Sequence, residues 1–381
     1  MSDVTWCRRH VTTRRSYWVT HLALALVLLV VAPHASAESV RVLVPDQDNL
    51  QYMAFWIAEG AGYLGEEGVT VTFSIPSAPA QTVDYVKRSD SDVAILPPPM
   101  YLELIAARAP IVLVANLLQN DPINLVVRRS VMAARGIRRD QPIGERLKRM
   151  TGLRIGVAPN PPARLRALFS AFGMDADRDV RMVILRGPEQ NYAFEKDEVD
   201  GLYAHTPYLE TALVDQGAEM VVDQSGGEVP GLATRQIHAL VAMRAYAVEH
   251  APAVLAMTRA IARAERLVHT DRTAAVAAIL KVFPTMNPTK VARIVEIYAP
   301  AVPESPRVTV EGIRPALALF PATKKAPDLD GVELAAYVAP RFAEDAARAI
   351  ARPWRPWVAA VAAALVLLLG LGGWIARPRT A

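Results

Sequence analysis

One cysteine in 381 residues is what the sequence most visibly lacks, and that one, Cys7, precedes an apolar run near the start. A chain cut after that run would have none, which excludes a disulfide framework, a thiol nucleophile and a lipid-bearing N-terminal cysteine. Charge is scarce too: 21% of residues are charged against 52% apolar, a balance that excludes disorder over most of the length. Nor is there a field of one sign. The whole chain carries +4, but without Arg8, Arg9, Arg14, Arg15 and Asp3 in the opening segment 38 bases face 37 acids, a net of +1. A nearly neutral domain does not steer phosphate, so nucleic acid drops out as a partner. Catalytic signatures are also missing. Glu189 and His205 could exchange a proton, but no nucleophile elbow or second carboxylate motif accompanies them. His205, His238, His250 and His269 lack the spacing of zinc ligands. We therefore expect no enzyme, no cofactor and no metal.

What is present begins with two hydrophobic ends. Residues 1–37 combine a basic opening, the apolar run Leu22 to Ala32 and Ala35-Ser36-Ala37, the pattern of a secretory signal cut after Ala37. Thr13-Arg14-Arg15-Ser16-Tyr17 partly matches a twin-arginine signal, and the export route stays open. At the other end, Trp357 to Ile375 is uncharged, with Arg352 and Arg355 before it and Arg377 and Arg379 after it. As a helix it would reach roughly 27 Å, near the ~30 Å of a bilayer's hydrocarbon. Trp354, Trp357 and Trp374 mark its edges as interfacial aromatics do. We expect a membrane span at 357–375, a spacer at 352–356 and a short cytoplasmic tail at 376–381, with the bulk of the chain outside the cytoplasmic membrane.

The length suits about two domains at ~100 to 200 residues each. From Val40, β-rich runs alternate with helical patterns, which predicts an α/β protein with mostly parallel sheets. Strands are expected at Val40 to Val44, Val69 to Ile75, Val93 to Leu96 and Ile111 to Ala115. A second set runs Leu125 to Val127, Leu153 to Val157, Met182 to Leu185, Gly201 to Tyr203 and Met220 to Val222, then a run at His238 to Met243. Leu50, Met53, Ala54, Ile57, Ala58, Ala61 and Leu64 share one helical face, and Asp48 with Gln51 suggests a capping box at its start. No internal repeat is legible. This order suggests two lobes joined twice: 38–120 with 225–351 as lobe I, and 121–224 as lobe II inserted in it. Crossings are expected near Leu118 to Pro122 and Gln224 to Ile237, with ligand space beyond the carboxyl ends of the strands.

Residues 49–69, running Asn49-Leu50-Gln51-Tyr52 to Gly62-Tyr63-Leu64-Gly65-Glu66-Glu67-Gly68-Val69, resemble the opening of a known family. It is that of the periplasmic solute-binding proteins of ABC importers for nitrate, taurine, alkanesulfonates and thiamine pyrimidine precursors. Asp92-Val93-Ala94-Ile95, Gly152-Leu153-Arg154-Ile155-Gly156-Val157 and Glu198-Val199-Asp200-Gly201 resemble its later strands, in the same order. The resemblance spans about Val40 to Arg348. It implies the two-lobed type II periplasmic-binding-protein fold, here with a C-terminal transmembrane helix, working as a monomer. It also implies a small-molecule solute and a partner permease with a cytoplasmic ATPase; a membrane-anchored sensor built on the same clamp is the alternative.

Where the family's oxyanion binders offer Gly, Ser or Thr, this chain has Pro97-Pro98-Pro99 and Asn160-Pro161-Pro162. Proline has no N–H, so these turns are poor anion cradles, although Arg164 could still supply charge. The candidate ligand-binding residues are Asp46, Asp48, Gln51, Tyr52, Pro98, Tyr101, Asn120, Asn160, Arg164, Glu189, Tyr192, His205 and Thr206, with Gln190 and Tyr208 beside them. Rings with a few carboxylates and amides suit an uncharged or amine-bearing heterocycle better than nitrate or a sulfonate. The stretch Arg128 to Arg166 holds eleven Arg or Lys against Asp140 and Glu145. It reads as a solvated face, or as a surface for docking to an acidic permease rim or anionic lipid.

Overall fold

The computed structural model describes residues 37–46, 49–77, 81–159, 161–233, 236–319 and 327–351. The expected signal segment, spacer, membrane span and tail lie outside the described residues, within which no helix is long and apolar enough to cross a membrane.

Among the described residues, ten strands form two five-stranded sheets. The first contains β1 (Glu38–Leu43), β2 (Val69–Ser74), β3 (Val93–Leu96), β4 (Ile111–Gln119) and β10 (Gln236–Met243), in the order β2-β1-β3-β10-β4. The second contains β5 (Asn124–Arg128), β6 (Arg154–Val157), β7 (Arg181–Ile184), β8 (Gly201–Ala204) and β9 (Ala218–Val222), in the order β7-β6-β8-β5-β9. Each expected strand is present. The expectation of mostly parallel sheets needs correcting: β10 runs antiparallel to β3 and β4, and β5 antiparallel to β8 and β9. The reason is the crossings. β4 leaves the first sheet at its carboxyl edge and enters the second as β5, so β5 must start at the edge where its neighbours end. The return from β9 to β10 imposes the same reversal.

The helices that cover the sheets and frame the site are α1 (Met53–Gly60), α2 (Pro98–Ala106), α3 (Pro162–Ser170), α4 (Gly187–Glu195), α5 (Tyr208–Asp215), α6 (Ala251–Thr270), α7 (Arg272–Val282), α8 (Pro288–Tyr298) and α9 (Pro340–Ala351). The expected stripe puts Met53, Ala54, Ile57 and Ala58 of α1 into the core, where Val40, Val42 and the apolar sides of α6 and α7 meet it. The other face of the first sheet is closed by Tyr101, Leu102 and Ile105 of α2 against Leu43, Leu96 and Ile237. Trp56 is 1% exposed and ringed by Phe55, Phe73 and Phe283 at 5.2 to 5.4 Å. In the second sheet, Ile155, Val157 and Tyr203 pack on Leu165 and Phe169 of α3. Helix α8 spans both halves: Val291, Ile294 and Val295 join the core that also holds Leu209 and Ala212 of α5, and Lys290 pairs with Asp215 at 2.5 Å.

The sequence shows no repeat, yet the two halves share one clasp. Asp92, just before β3, accepts from the backbone N–H (2.8 Å), Nε and Nη2 of Arg41 in β1. Asp200, just before β8, does the same for Arg154 in β6, again at 2.8 Å from the backbone N–H. Each clasp registers the strands that stand second and third in the order of its sheet, β1 with β3 and β6 with β8.

Candidate functional site between the two sheets

The site is built where the strands end. After β1, Asn49 caps a 3₁₀ turn (Leu50–Tyr52) by accepting from the Gln51 N–H at 3.0 Å, and the chain runs straight into α1. The expected cap residue Asp48 lies outside the described residues, and the cap seen is Asn49. The turn lays the Tyr52 ring against the ring of His238 in β10, centroids 4.9 Å apart, with both side chains almost fully buried. Burial, helped by the charge of Asp46, raises the Tyr52 hydroxyl far above its usual range, so it stays a neutral phenol. Burial likewise pushes His238 down to about 3, with Arg164 and His205 acting in the same direction and the Ile237 backbone opposing. Neither ring nitrogen of this neutral imidazole makes a well-formed hydrogen bond among the described residues.

The crossings form the floor. Asn120 adopts φ +66°, a left-handed conformation that asparagine tolerates better than most side chains, and its Nδ2 donates to the Ser225 carbonyl at 3.0 Å. Asn124 donates to Ser225 Oγ at 2.9 Å and accepts from the Ser225 N–H at 3.0 Å. The outgoing and returning chains are therefore laced together. Asp121, next along, caps the Ile123 N–H and pairs with Arg164 Nη1 of α3 at 3.2 Å, its own side chain 3% exposed and that of Arg164 14%.

The far wall is the end of β8. His205 Nδ1 lies 2.6 Å from the Thr206 carbonyl oxygen, so Nδ1 carries the proton and Nε2 is left as an acceptor. Burial lowers the pKa of His205 against the pull of the Thr206 carbonyl; Arg164 lowers it further, while Asp46 and Asp121 oppose. The charges of Asp46, Asp121 and Arg164 thus act on the His205 imidazole, and that of Arg164 on His238 as well. The ring of Tyr208 stands edge-on to His205 at 5.8 Å. Helix α3 comes up against the Arg314–Leu319 turn of the first half. Open surface cavities include one of about 340 Å³ beside Arg266 and Ile350 and one of about 590 Å³ beside Arg129 and Arg293.

Of the expected residues, Tyr52, Arg164, His205 and Thr206 lie at these strand ends, Asn120 lies on the first crossing, and the charge of Asp46 acts on Tyr52 and His205. Asp48 and Asn160 lie outside the described residues. Pro98 opens α2 behind Pro97, and Pro162 opens α3 behind Pro161, so both turns do lack the N–H groups that an anion would need. Other candidates serve the scaffold. Tyr101 is fully buried and donates to the Gln236 carbonyl at 2.9 Å. Glu189 caps α4 by accepting from the Arg186 N–H at 2.8 Å, and Tyr192 is 60% exposed under Lys196. Gln51 and Gln190 are buried, Gln190 donating to the Leu185 carbonyl. Asp121 was not anticipated as a site residue, nor was His238; the available signal was their position at the two crossings. Eight of the eleven basic side chains between Arg128 and Arg166 meet a carboxylate, which removes most of the supposed basic face. Among the described residues no group of His, Cys, Asp or Glu is placed to hold a metal ion.

Two mixed α/β sheets joined by a double crossing make the two-lobed fold known from periplasmic binding proteins. The profile of the family described as NMT1/THI5 like matches residues 49–275, more than half of the 381, and the chain belongs to that family. No curated protein matches the sequence. Among solved structures, one from Bordetella bronchiseptica RB50 is 17% identical, with a TM-score of 0.62 over 84% of this chain and 99% of that one. The alkanesulfonate-binding protein SsuA from Xanthomonas axonopodis pv. citri, bound to MOPS, is 17% identical, with a TM-score of 0.55 over 80% and 99%. The desulfurization enzyme DSZB, at 15% identity and TM-score 0.52 over 81% and 99%, shares the fold as well. Fold alone therefore does not separate binding from catalysis.

Proposed function

We propose that this chain is the extracytoplasmic solute-binding component of an ABC importer, moored to the cytoplasmic membrane by the uncharged stretch 357–375 and delivering to a permease with a cytoplasmic ATPase. The family, the shared fold of sulfonate-binding proteins and the signal-like opening support this reading. Mooring would raise the effective concentration of the binding protein at its permease. The observation that carries the reading is that each half places polar and aromatic groups at its strand ends, Tyr52 on His238 in one and the Arg164–Asp121 pair with the His205-Thr206 turn in the other.

The chemistry of these groups also narrows the solute. Arg164 is engaged by Asp121, both imidazoles are neutral, and the flanking proline turns offer few N–H groups. His205 Nε2 accepts, while neutral His238 can donate through one nitrogen and accept through the other. A planar heterocycle or amine with N–H donors fits such a wall better than a sulfonate or nitrate. The closed state is then favoured by the extra contacts the solute makes in it. Thermal-shift screening of the full-length protein against aminopyrimidines, amines, sulfonates and oxyanions tests this. Stabilisation by the first two classes is expected; stabilisation by taurine or nitrate alone would refute the solute class.

A further inference from the structure

Six groups form an unbroken path through the floor of the site. Arg164 holds Asp121. The next carbonyl, that of Pro122, accepts from the Tyr298 hydroxyl at 2.9 Å. The same hydroxyl accepts from the Thr206 N–H at 3.1 Å. The Thr206 carbonyl in turn receives the His205 Nδ1 proton. Tyr298 is fully buried at the end of α8, and Thr206 is fully buried at the end of β8. We propose that Tyr298 is a positioning residue that ties both ligand-facing groups of the far wall, Arg164 and His205, to the first crossing, so that the tautomer of His205 depends on the hinge.

The basis is valence and burial. A phenol has one proton and can accept as well as donate, so a single hydroxyl satisfies two backbone groups that are otherwise remote in sequence. Both groups are buried, and a buried carbonyl or N–H left unpaired is costly. Phenylalanine keeps the shape of the ring and removes both bonds. The Thr206 N–H and Pro122 carbonyl would then relax toward other partners, and the Thr206 carbonyl would move with its residue. His205 would lose the acceptor that keeps its proton on Nδ1, and the wall would no longer present a fixed acceptor at Nε2. This rests on the reading of the interlobe site as the solute site, but its test needs no solute, so a failed solute screen leaves it standing or falling separately.

The test uses the full-length chain in lipid nanodiscs, labelled with nitrogen-15 at histidine and threonine, with His205 assigned through His205→Gln and the Thr206 amide through Thr206→Ser. The wild type should show His205 in the Nδ1–H form alone. Tyr298→Phe should populate the Nε2–H form and quicken exchange of the Thr206 amide about tenfold. Ile294→Val, a buried truncation on the same helix, should do neither. An unchanged tautomer, or exchange that moves no further than in Ile294→Val, would overturn the proposal. If Tyr298→Phe does not fold, the wild type decides: its Tyr298 hydroxyl proton should be protected and show a nuclear Overhauser contact to the Thr206 amide, and a freely exchanging hydroxyl would overturn it.

Discussion

The two halves of the molecule have the same skeleton and different chemistry. Their sheets follow one order, each with a reversed strand donated by a crossing, and each with an Arg–Asp clasp between the second and third strands of that order. At the site they part. The first half offers rings, Tyr52 and His238, held by packing in its core; the second offers a cation and a hydrogen-bonded turn, Arg164 and His205-Thr206, held by partners on the crossings. A repeated skeleton therefore fixes where groups meet, while specificity lies in the residues that are not repeated.

That contrast is open to direct tests. The greatest loss is expected from Asp121→Ala, which strands Arg164 and uncaps Ile123; chemical denaturation should show a loss of about 3 kcal/mol. Replacing both Asp121 and Arg164 by apolar residues should recover part of it. A loss below about 1 kcal/mol, within the range of exposed pairs, would mean that the second wall is not held by its charges.

The response to pH should be nearly as large. Glu210 in α5 is fully buried, and burial raises its carboxyl from 4.5 to about 7. Around it stand Thr206, Tyr298 and Arg293, the last paired with Glu296, while Lys290 on the same helix pairs with Asp215. The native state holds the proton more tightly than the unfolded chain, so stability should fall as pH rises from 4.5 to 7 and be flat above, by about 3 kcal/mol in all. His238, lowered from 6.5 to about 3, acts oppositely: its contribution is present above 6.5 and lost as pH falls toward 3. Glu210→Gln should remove the first slope and His238→Leu the second, each read from unfolding curves across the pH range. Variants that leave the profile unchanged would show that neither group titrates as its burial requires.

The clasps probe the shared skeleton itself. If they do one job twice, Asp92→Asn and Asp200→Asn should each cost about 1 kcal/mol and agree within about 0.5 kcal/mol. A wide disparity would mean that the repeat is geometric only. The least response belongs to Arg138→Glu. Both side chains of the Arg138–Asp140 pair are more than 60% exposed, so stability should change by less than about 0.5 kcal/mol, and lipid-vesicle affinity should not respond.

Much of this skeleton was legible in the sequence because it is local. Runs such as Val93 to Leu96, and the stripe from Leu50 to Leu64, reveal strand and helix by period and by β-branched content. Strand direction was not legible, since the reversal of β5 and β10 comes from where the crossings enter a sheet. At the site, Tyr52, Arg164, His205 and Thr206 were recognisable as polar or aromatic groups beside strand ends. Tyr101 and Tyr192 were misplaced because residues on a helix differ in outlook by single positions: one points at Gln236 in the core, the other at solvent. Asp121 acquires its role from Arg164, 43 residues away, and His238 from Tyr52 across the sheet, so neither role shows in a local pattern. The clasps went unseen for the same reason, since 51 and 46 residues separate their partners.

Whether the neutral imidazoles select the solute is decided by calorimetric titration of the full-length protein, and of its His238→Leu variant, with an aminopyrimidine and with taurine. Saturable binding of the aminopyrimidine, weakened about tenfold in the variant, with no heat from taurine, is expected of a wall built from His205 and His238. Tight binding of taurine that His238→Leu leaves untouched would contradict it.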